Sequence, residues 1–178
     1  MQLNTQTGWI DGARQVSSPN CDQRPEGAVI SLLVIHAITM PPGKFGGHGV
    51  EALFTNALNP KEFPSCYADH HHFRVSAHLL IDRQGEIKQF VSLHDRAWHA
   101  GPSSFKGREA CNDYSIGIEL EGTDDLPFEP SQYQALRTLV NILQLAYPEI
   151  TQDRIVGHCD IAPGRKTDPG PCFDWGQL

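Results

Sequence analysis

A mixed α/β fold in a single domain is what this sequence predicts, and three observations predict it. The chain has 178 residues, enough for one sizeable core and short for two. Several short runs rich in β-branched residues alternate with Gly- and Pro-rich stretches, the pattern of strands and connecting loops. One segment carries a long helical repeat of apolar residues. Hydrophobic residues are 39% and charged residues 20%, ordinary values for a globular protein.

Residues 1–28 are rich in Gly, Pro, Ser and Asn and read as an irregular arm packed over the domain, with Trp9 as its anchor. Residues 29–38 are an apolar, β-branched run and predict a central strand buried on both faces. His36 falls near its end, where a strand delivers side chains to the rim of a sheet. Residues 41–47 form a loop, and 50–58 a short helix. Residues 59–72 are loop again, ending in His70, His71 and His72. Residues 77–91 read as a hairpin turning at 82–85. Residues 92–112 are a long loop carrying Trp98 and His99, and 115–122 a strand of alternating character.

Residues 131–147 are the long helix. Tyr133, Leu136, Val140, Leu143 and Tyr147 recur at helical spacing, Ser131 and Gln134 fit a capping box, and Pro148 ends it. Residues 154–157 read as a buried strand. The stretch from His158 to Pro171 holds three prolines and two glycines, which predicts neither regular helix nor strand. Loops 39–49, 59–76 and 92–113 exceed the usual connection length and predict the walls of a ligand site.

The formal net charge of −7 argues against nucleic acid and against an anionic membrane surface as partners. No apolar run approaches membrane-spanning length. The first eight residues carry neither a basic n-region nor an apolar h-region, so no secretory signal is expected. Five cysteines, Cys21, Cys66, Cys111, Cys159 and Cys172, contain no Cys-x-x-Cys pair. Reduced thiols in a cytoplasmic protein are the simplest account.

Three candidate metal ligands stand out. His36 ends one predicted strand, His158 ends another, and Asp168 lies at the far end of the proline-stiffened loop. If the two strands are neighbours, both imidazoles reach one rim. Two histidines and one carboxylate leave a fourth position open for water, the layout of a catalytic zinc site. Glu119, between Ile118 and Leu120, is a candidate general base, and Lys166 a candidate partner for a developing oxyanion. Each residue also has a plainer reading: His36 as a satisfied core histidine, Glu119 and Glu121 as a solvated strand face, the loop as surface. Cys66 with His70, His71 and His72 is a rival metal set, although adjacent histidines rarely all face one ion.

These residues also carry a resemblance. The run His158-Cys159-Asp160-Ile161-Ala162-Pro163-Gly164-Arg165-Lys166-Thr167-Asp168-Pro169-Gly170 resembles the signature of the AmpD-type 1,6-anhydro-N-acetylmuramyl-L-alanine amidases. So do Leu33-Val34-Ile35-His36, Pro41 to Gly46, Arg74 to His78, Arg96 to Gly101, Cys111 to Gly122 and Phe173-Asp174-Trp175, in consistent order from about Trp9 onward. The resemblance implies a central mixed β-sheet flanked by helices, the fold shared with T7-type lysozyme and peptidoglycan recognition proteins. It implies Zn2+ held by His36, His158 and Asp168, with Glu119 activating water and Lys166 facing the tetrahedral intermediate. It puts Arg74, Trp98 and His99 in segments that line the substrate groove. One position of the substrate-binding set departs from the pattern: family members usually carry Asn after the first ligand histidine, and this chain has Ala37; if that Asn holds a substrate amide, affinity or rate is expected to be reduced here, unless water replaces the contact.

The expected function is zinc-dependent hydrolysis of the amide between anhydro-muramic acid and the L-Ala of the stem peptide, in peptidoglycan recycling. The expected partner is a small anhydro-muropeptide, with no nucleic acid and no membrane, and the expected state a cytoplasmic monomer. A muropeptide-binding module without activity is the alternative, and loss of a ligand or of Glu119 would mark it. A regulatory partner resembling a polymerase-binding phage lysozyme comes last, because no basic or apolar docking segment is evident.

Overall fold

The arm over residues 1–28 is more regular than its composition predicts. It contains β1 (Gln2–Asn4), β2 (Trp9–Asp11), β3 (Arg14–Gln15) and β4 (Cys21–Gln23). Strands β1 and β2 pair as an antiparallel hairpin. The anchor is Ile10, fully buried, and not Trp9, which is half-buried. Alternate residues of a strand face opposite sides, and Ile10 is the inward one. The buried Gln89 side chain ties the arm down, accepting from Ile10 N at 2.8 Å and donating to Gly8 O at 2.8 Å.

The computed structural model describes residues 1–178. After the arm come β5 (Leu32–Ile38), α1 (Gly49–Phe54), α2 (Tyr67–His70), β6 (Leu79–Ile81) and β7 (Ile87–Gln89). Then follow β8 (Asp95–Ala97), β9 (Ser104–Phe105), β10 (Arg108–Glu109), β11 (Ser115–Glu121), α3 (Pro130–Ala146), β12 (Ile155–Gly157) and α4 (His158–Ile161). The main sheet has six strands in the order β12-β5-β11-β6-β7-β3. All its neighbours are parallel except the β6–β7 hairpin, so the sheet is mixed.

Strand β5 lies inside the sheet, as its apolar run predicts. Its residues alternate between two apolar faces. Leu33 and Ile35 join Ile116, Ile118 and Leu120 against Leu136, Leu139, Val140 and Leu143 of α3. Leu32 and Val34 pack with Ala100, Cys111, Tyr114 and Ile161 on the other side. Helix α1 covers Leu80 and Phe90 through Leu53 and Phe54. Helices therefore flank the sheet, and none is long and apolar enough to cross a membrane.

Several local expectations are corrected. Strand β11 is buried over its whole length, so Glu119 and Glu121 are not a solvated face. Helix α3 is capped at Glu129, whose N–H donates to Gln132 Oε1 at 3.0 Å, with Pro130 at the first helical position. Ser131 instead donates to Arg83 O at 2.8 Å. Helix α1 stops at Phe54, and Asn56 then takes a left-handed φ of 59°. The long loop after residue 91 contains β8, paired with β4, and the β9–β10 hairpin. His158–Ile161 forms a helical turn before the prolines begin at Pro163, closed by Ala162 N–H donating to His158 O at 3.0 Å.

Candidate active site

Parallel pairing of β12 with β5 sets Gly157 opposite Ile35. The next residue, His158, therefore comes level with His36 at the sheet rim. The loop returns Asp168 to the same place, and Cys159 N–H donates to Asp168 O at 3.0 Å. His36 Nδ1 lies 3.0 Å from His158 Nδ1 and 3.2 Å from Asp168 Oδ2, and His158 Nδ1 lies 3.1 Å from the same oxygen.

The far side of each ring is also occupied. His158 Nε2 donates to Ala100 O at 3.1 Å, which leaves Nδ1 as a bare lone pair. His36 Nε2 faces His99 Nδ1 at 2.9 Å. Burial pushes the His36 imidazole down to about 4. Burial would raise the Asp168 carboxyl, but the His158 and His36 imidazoles beside it hold it below the usual carboxylate range. Neutral imidazole and carboxylate are the states a metal binds.

The donor set fits a divalent cation. One atom from each of the three residues lies within 4.8 Å of the others, and no other group of three or more His, Cys, Asp or Glu does so. Ligands about 2.0–2.1 Å from a tetrahedral ion stand about 3.3 Å apart, close to the spacing found. Converging lone pairs also repel unless a positive charge lies between them.

Glu119 is paired with His36 across β11 and β5. Its Oε2 is buried with no hydrogen-bond partner. Burial, and then the Asp168 charge, raise its carboxyl well above the ordinary value, while Lys166 opposes the rise. These groups border one pocket of about 300 Å³, with Lys166 at its exposed edge and Trp98 on its wall. Trp98 Nε1 donates to Asp22 Oδ1 at 3.1 Å, which fixes the indole.

The remaining predicted residues fall differently. Arg74 is exposed and does not border the pocket; its guanidinium donates to His71 O and Phe73 O, both at 3.1 Å. Ala37 borders the pocket, yet it also packs on the α3 side of the sheet. His99 borders the pocket, as expected, with its ring largely buried behind His36. Glycine inside a strand marks a close approach of another group, and Gly117 is the sequence signal for His99. The 59–76 loop walls the pocket as its length predicts, through His70 and Phe73, which sequence reasoning did not single out for that place. His70 Nδ1 and His71 Nδ1 each donate to a backbone carbonyl one turn back, at 2.8 Å, so the three adjacent histidines form no metal set with Cys66.

Converging metal-type ligands, a sheltered carboxylic acid and a lysine around one pocket define a hydrolase, and the mixed sheet places them all at one rim. The chain belongs to the N-acetylmuramoyl-L-alanine amidase family, whose model matches residues 26–171. It is 54% identical over 171 residues to the 1,6-anhydro-N-acetylmuramyl-L-alanine amidase AmpD of Escherichia coli (strain K12), covering 96% of this chain and 92% of that protein. It is 54% identical to the Haemophilus influenzae AmpD over 94% of this chain and 91% of that one. A crystal structure of an AmpD derivative superposes with a TM-score of 0.94 at 54% identity, over 99% of this chain and 97% of that chain. The amidase AmiD from E. coli, solved with anhydro-N-acetylmuramic acid-L-Ala-D-γ-Glu-L-Lys, gives a TM-score of 0.60 at 33% identity, over 87% of this chain and 59% of that chain.

Proposed function

We propose that this chain is a zinc-dependent amidase. It hydrolyses the amide joining 1,6-anhydro-N-acetylmuramic acid to the L-Ala of the stem peptide, in peptidoglycan recycling. The observation that carries the reading is the meeting of His36, His158 and Asp168 in the pocket that also holds the partnerless carboxyl of Glu119. The AmpD names of relatives at 54% identity, and the anhydro-muropeptide in the AmiD complex, supply the substrate class.

His36 and His158 through Nδ1, and Asp168 through Oδ2, would hold the zinc. When bound, zinc polarises the scissile carbonyl and lowers the pKa of water to about 7. The chain supplies the proton movements. Glu119 takes a proton from the attacking water at its carboxylate and passes it to the leaving amine nitrogen. Its shelter from solvent suits both halves of that cycle, because burial narrows the gap between its pKa and the working pH. Lys166 directs its ammonium toward the carbonyl oxygen as charge develops there. Trp98 offers an apolar wall to the sugar.

Five unpaired cysteines suit a reducing compartment, so we assign the enzyme to the cytoplasm. The test is release of tripeptide from anhydro-muramyl-tripeptide, followed through chelation and zinc restoration. Activity lost with the metal and restored by zinc is expected; full turnover by metal-free protein would overturn the reading.

A further inference from the structure

Behind the metal-type ligands lies a second row of buried polar groups with no role in the chemistry above. Its centre is His99. The ring is 8% exposed, and its Nδ1 meets His36 Nε2 at 2.9 Å while its Nε2 meets Ser115 Oγ at 3.1 Å. The His36 and His99 rings are nearly perpendicular, at 86° with centroids 5.0 Å apart, the orientation in which an N–H of one ring can point at a lone pair of the other.

Space for this ring is built into the sheet. A Cβ on Gly117 would fall 2.5 Å from His99 Cγ and 2.6 Å from its Nδ1, closer than real side chains approach. Gly117 is two residues before Glu119 on the same face of β11, so the strand that delivers Glu119 also opens the niche for His99. The backbone there is clamped: Asn112 Oδ1 accepts from His99 N at 3.1 Å and from Ala100 N at 2.8 Å. Ala100 O is the acceptor behind His158. One dipeptide, held by one asparagine, thus backs both histidines.

We infer that His99, although it borders the pocket, acts as a positioning residue for His36. The inference rests on the metal reading above. A cation at His36 Nδ1 requires the ring proton on Nε2. That N–H donates to His99 Nδ1. His99 must then carry its own proton on Nε2, and donates it to Ser115 Oγ. The chain of donors has one direction, and it fixes the tautomer and plane of His36. Partners of this kind behind a ligand commonly govern metal affinity about 10- to 100-fold.

The experiment compares full-length wild type with His99→Leu and His99→Asn, reading zinc Kd by chelator competition and, at saturating zinc, kcat and KM on anhydro-muramyl-tripeptide. Circular dichroism of the metal-free proteins checks folding. His99→Leu removes the acceptor and is expected to weaken zinc binding about 10- to 100-fold with KM unchanged. Asn carries an acceptor oxygen near the Nδ1 position, and His99→Asn is expected to recover most of that loss. If His99→Leu fails to fold, Ser115→Ala, which only strips the terminal acceptor, is expected to weaken zinc binding several-fold, and an unchanged Kd there overturns the inference. An unchanged zinc Kd in folded His99→Leu overturns it too, and a raised KM alongside would move His99 to the substrate. Wild type that takes no zinc would overturn the metal reading as well, so the two failures are distinguishable.

Discussion

Glu119 sits directly across the parallel β5–β11 pair from His36, and both side chains leave the sheet on one face. Register alone therefore brings the carboxyl to the ligand rim. In a parallel sheet buried on both faces there is little water to solvate that carboxyl, and its Oε2 has no partner. A charge so placed costs stability until something positive arrives.

One zinc per chain is expected in the purified enzyme by elemental analysis. His158→Ala should lose both the metal and the activity, because it removes one of three ligands and uncouples the Ala100 anchor. Full zinc occupancy in that variant would put the ligands elsewhere.

Glu119→Gln should retain zinc and lose about 10²-fold or more in kcat. The metal-free variant should also be more stable than metal-free wild type at pH 8. The sign follows from the raised carboxyl: a group whose folded pKa lies above its unfolded value contributes fully below the unfolded value, and that contribution is lost as pH rises through the folded one. The stability gain should therefore vanish as pH falls below about 4.3, the carboxyl's unfolded value. Thermal melts at the two pH values check it; equal melting temperatures throughout would mean that Glu119 is ionised at no cost.

Lys166→Ala should lower kcat about 10²- to 10³-fold and leave zinc content unchanged, since the lysine sits at the pocket edge and is not a ligand. Metal analysis beside steady-state kinetics separates the two effects. Loss of zinc would make Lys166 a structural support of the 158–171 loop.

Anhydro-muramyl-tripeptide should be preferred over muramyl-tripeptide by about 10- to 200-fold in kcat/KM if the discrimination comes from packing of the compact bicyclic sugar against Trp98. Trp98→Ala should then reduce the preference more than the rate. Equal kcat/KM on both soluble substrates and on purified sacculi would describe a general wall amidase instead.

Much of this was legible in one dimension. The β-branched run ending in His36, the hairpin over residues 77–91 and the helix over 131–147 follow from local periodicity, which the chain carries in adjacent residues. The motif order from Leu33 to Trp175 identified the family, and the family match and the AmpD relatives agree with it. Residue type and spacing also singled out His36, His158, Asp168, Glu119 and Lys166, which the fold brings to one pocket. The rest depends on groups distant in sequence. Glu119 looks like half of a solvated alternation until β5 and β6 close on either side of its strand. Arg74 turns to the carbonyls of His71 and Phe73, and His70 reaches the pocket, because loop paths are set by packing. His99 lies behind a ligand 63 residues away in a niche that exists because Gly117 has no side chain, and hydrogen bonds between such distant partners leave no local periodicity to read.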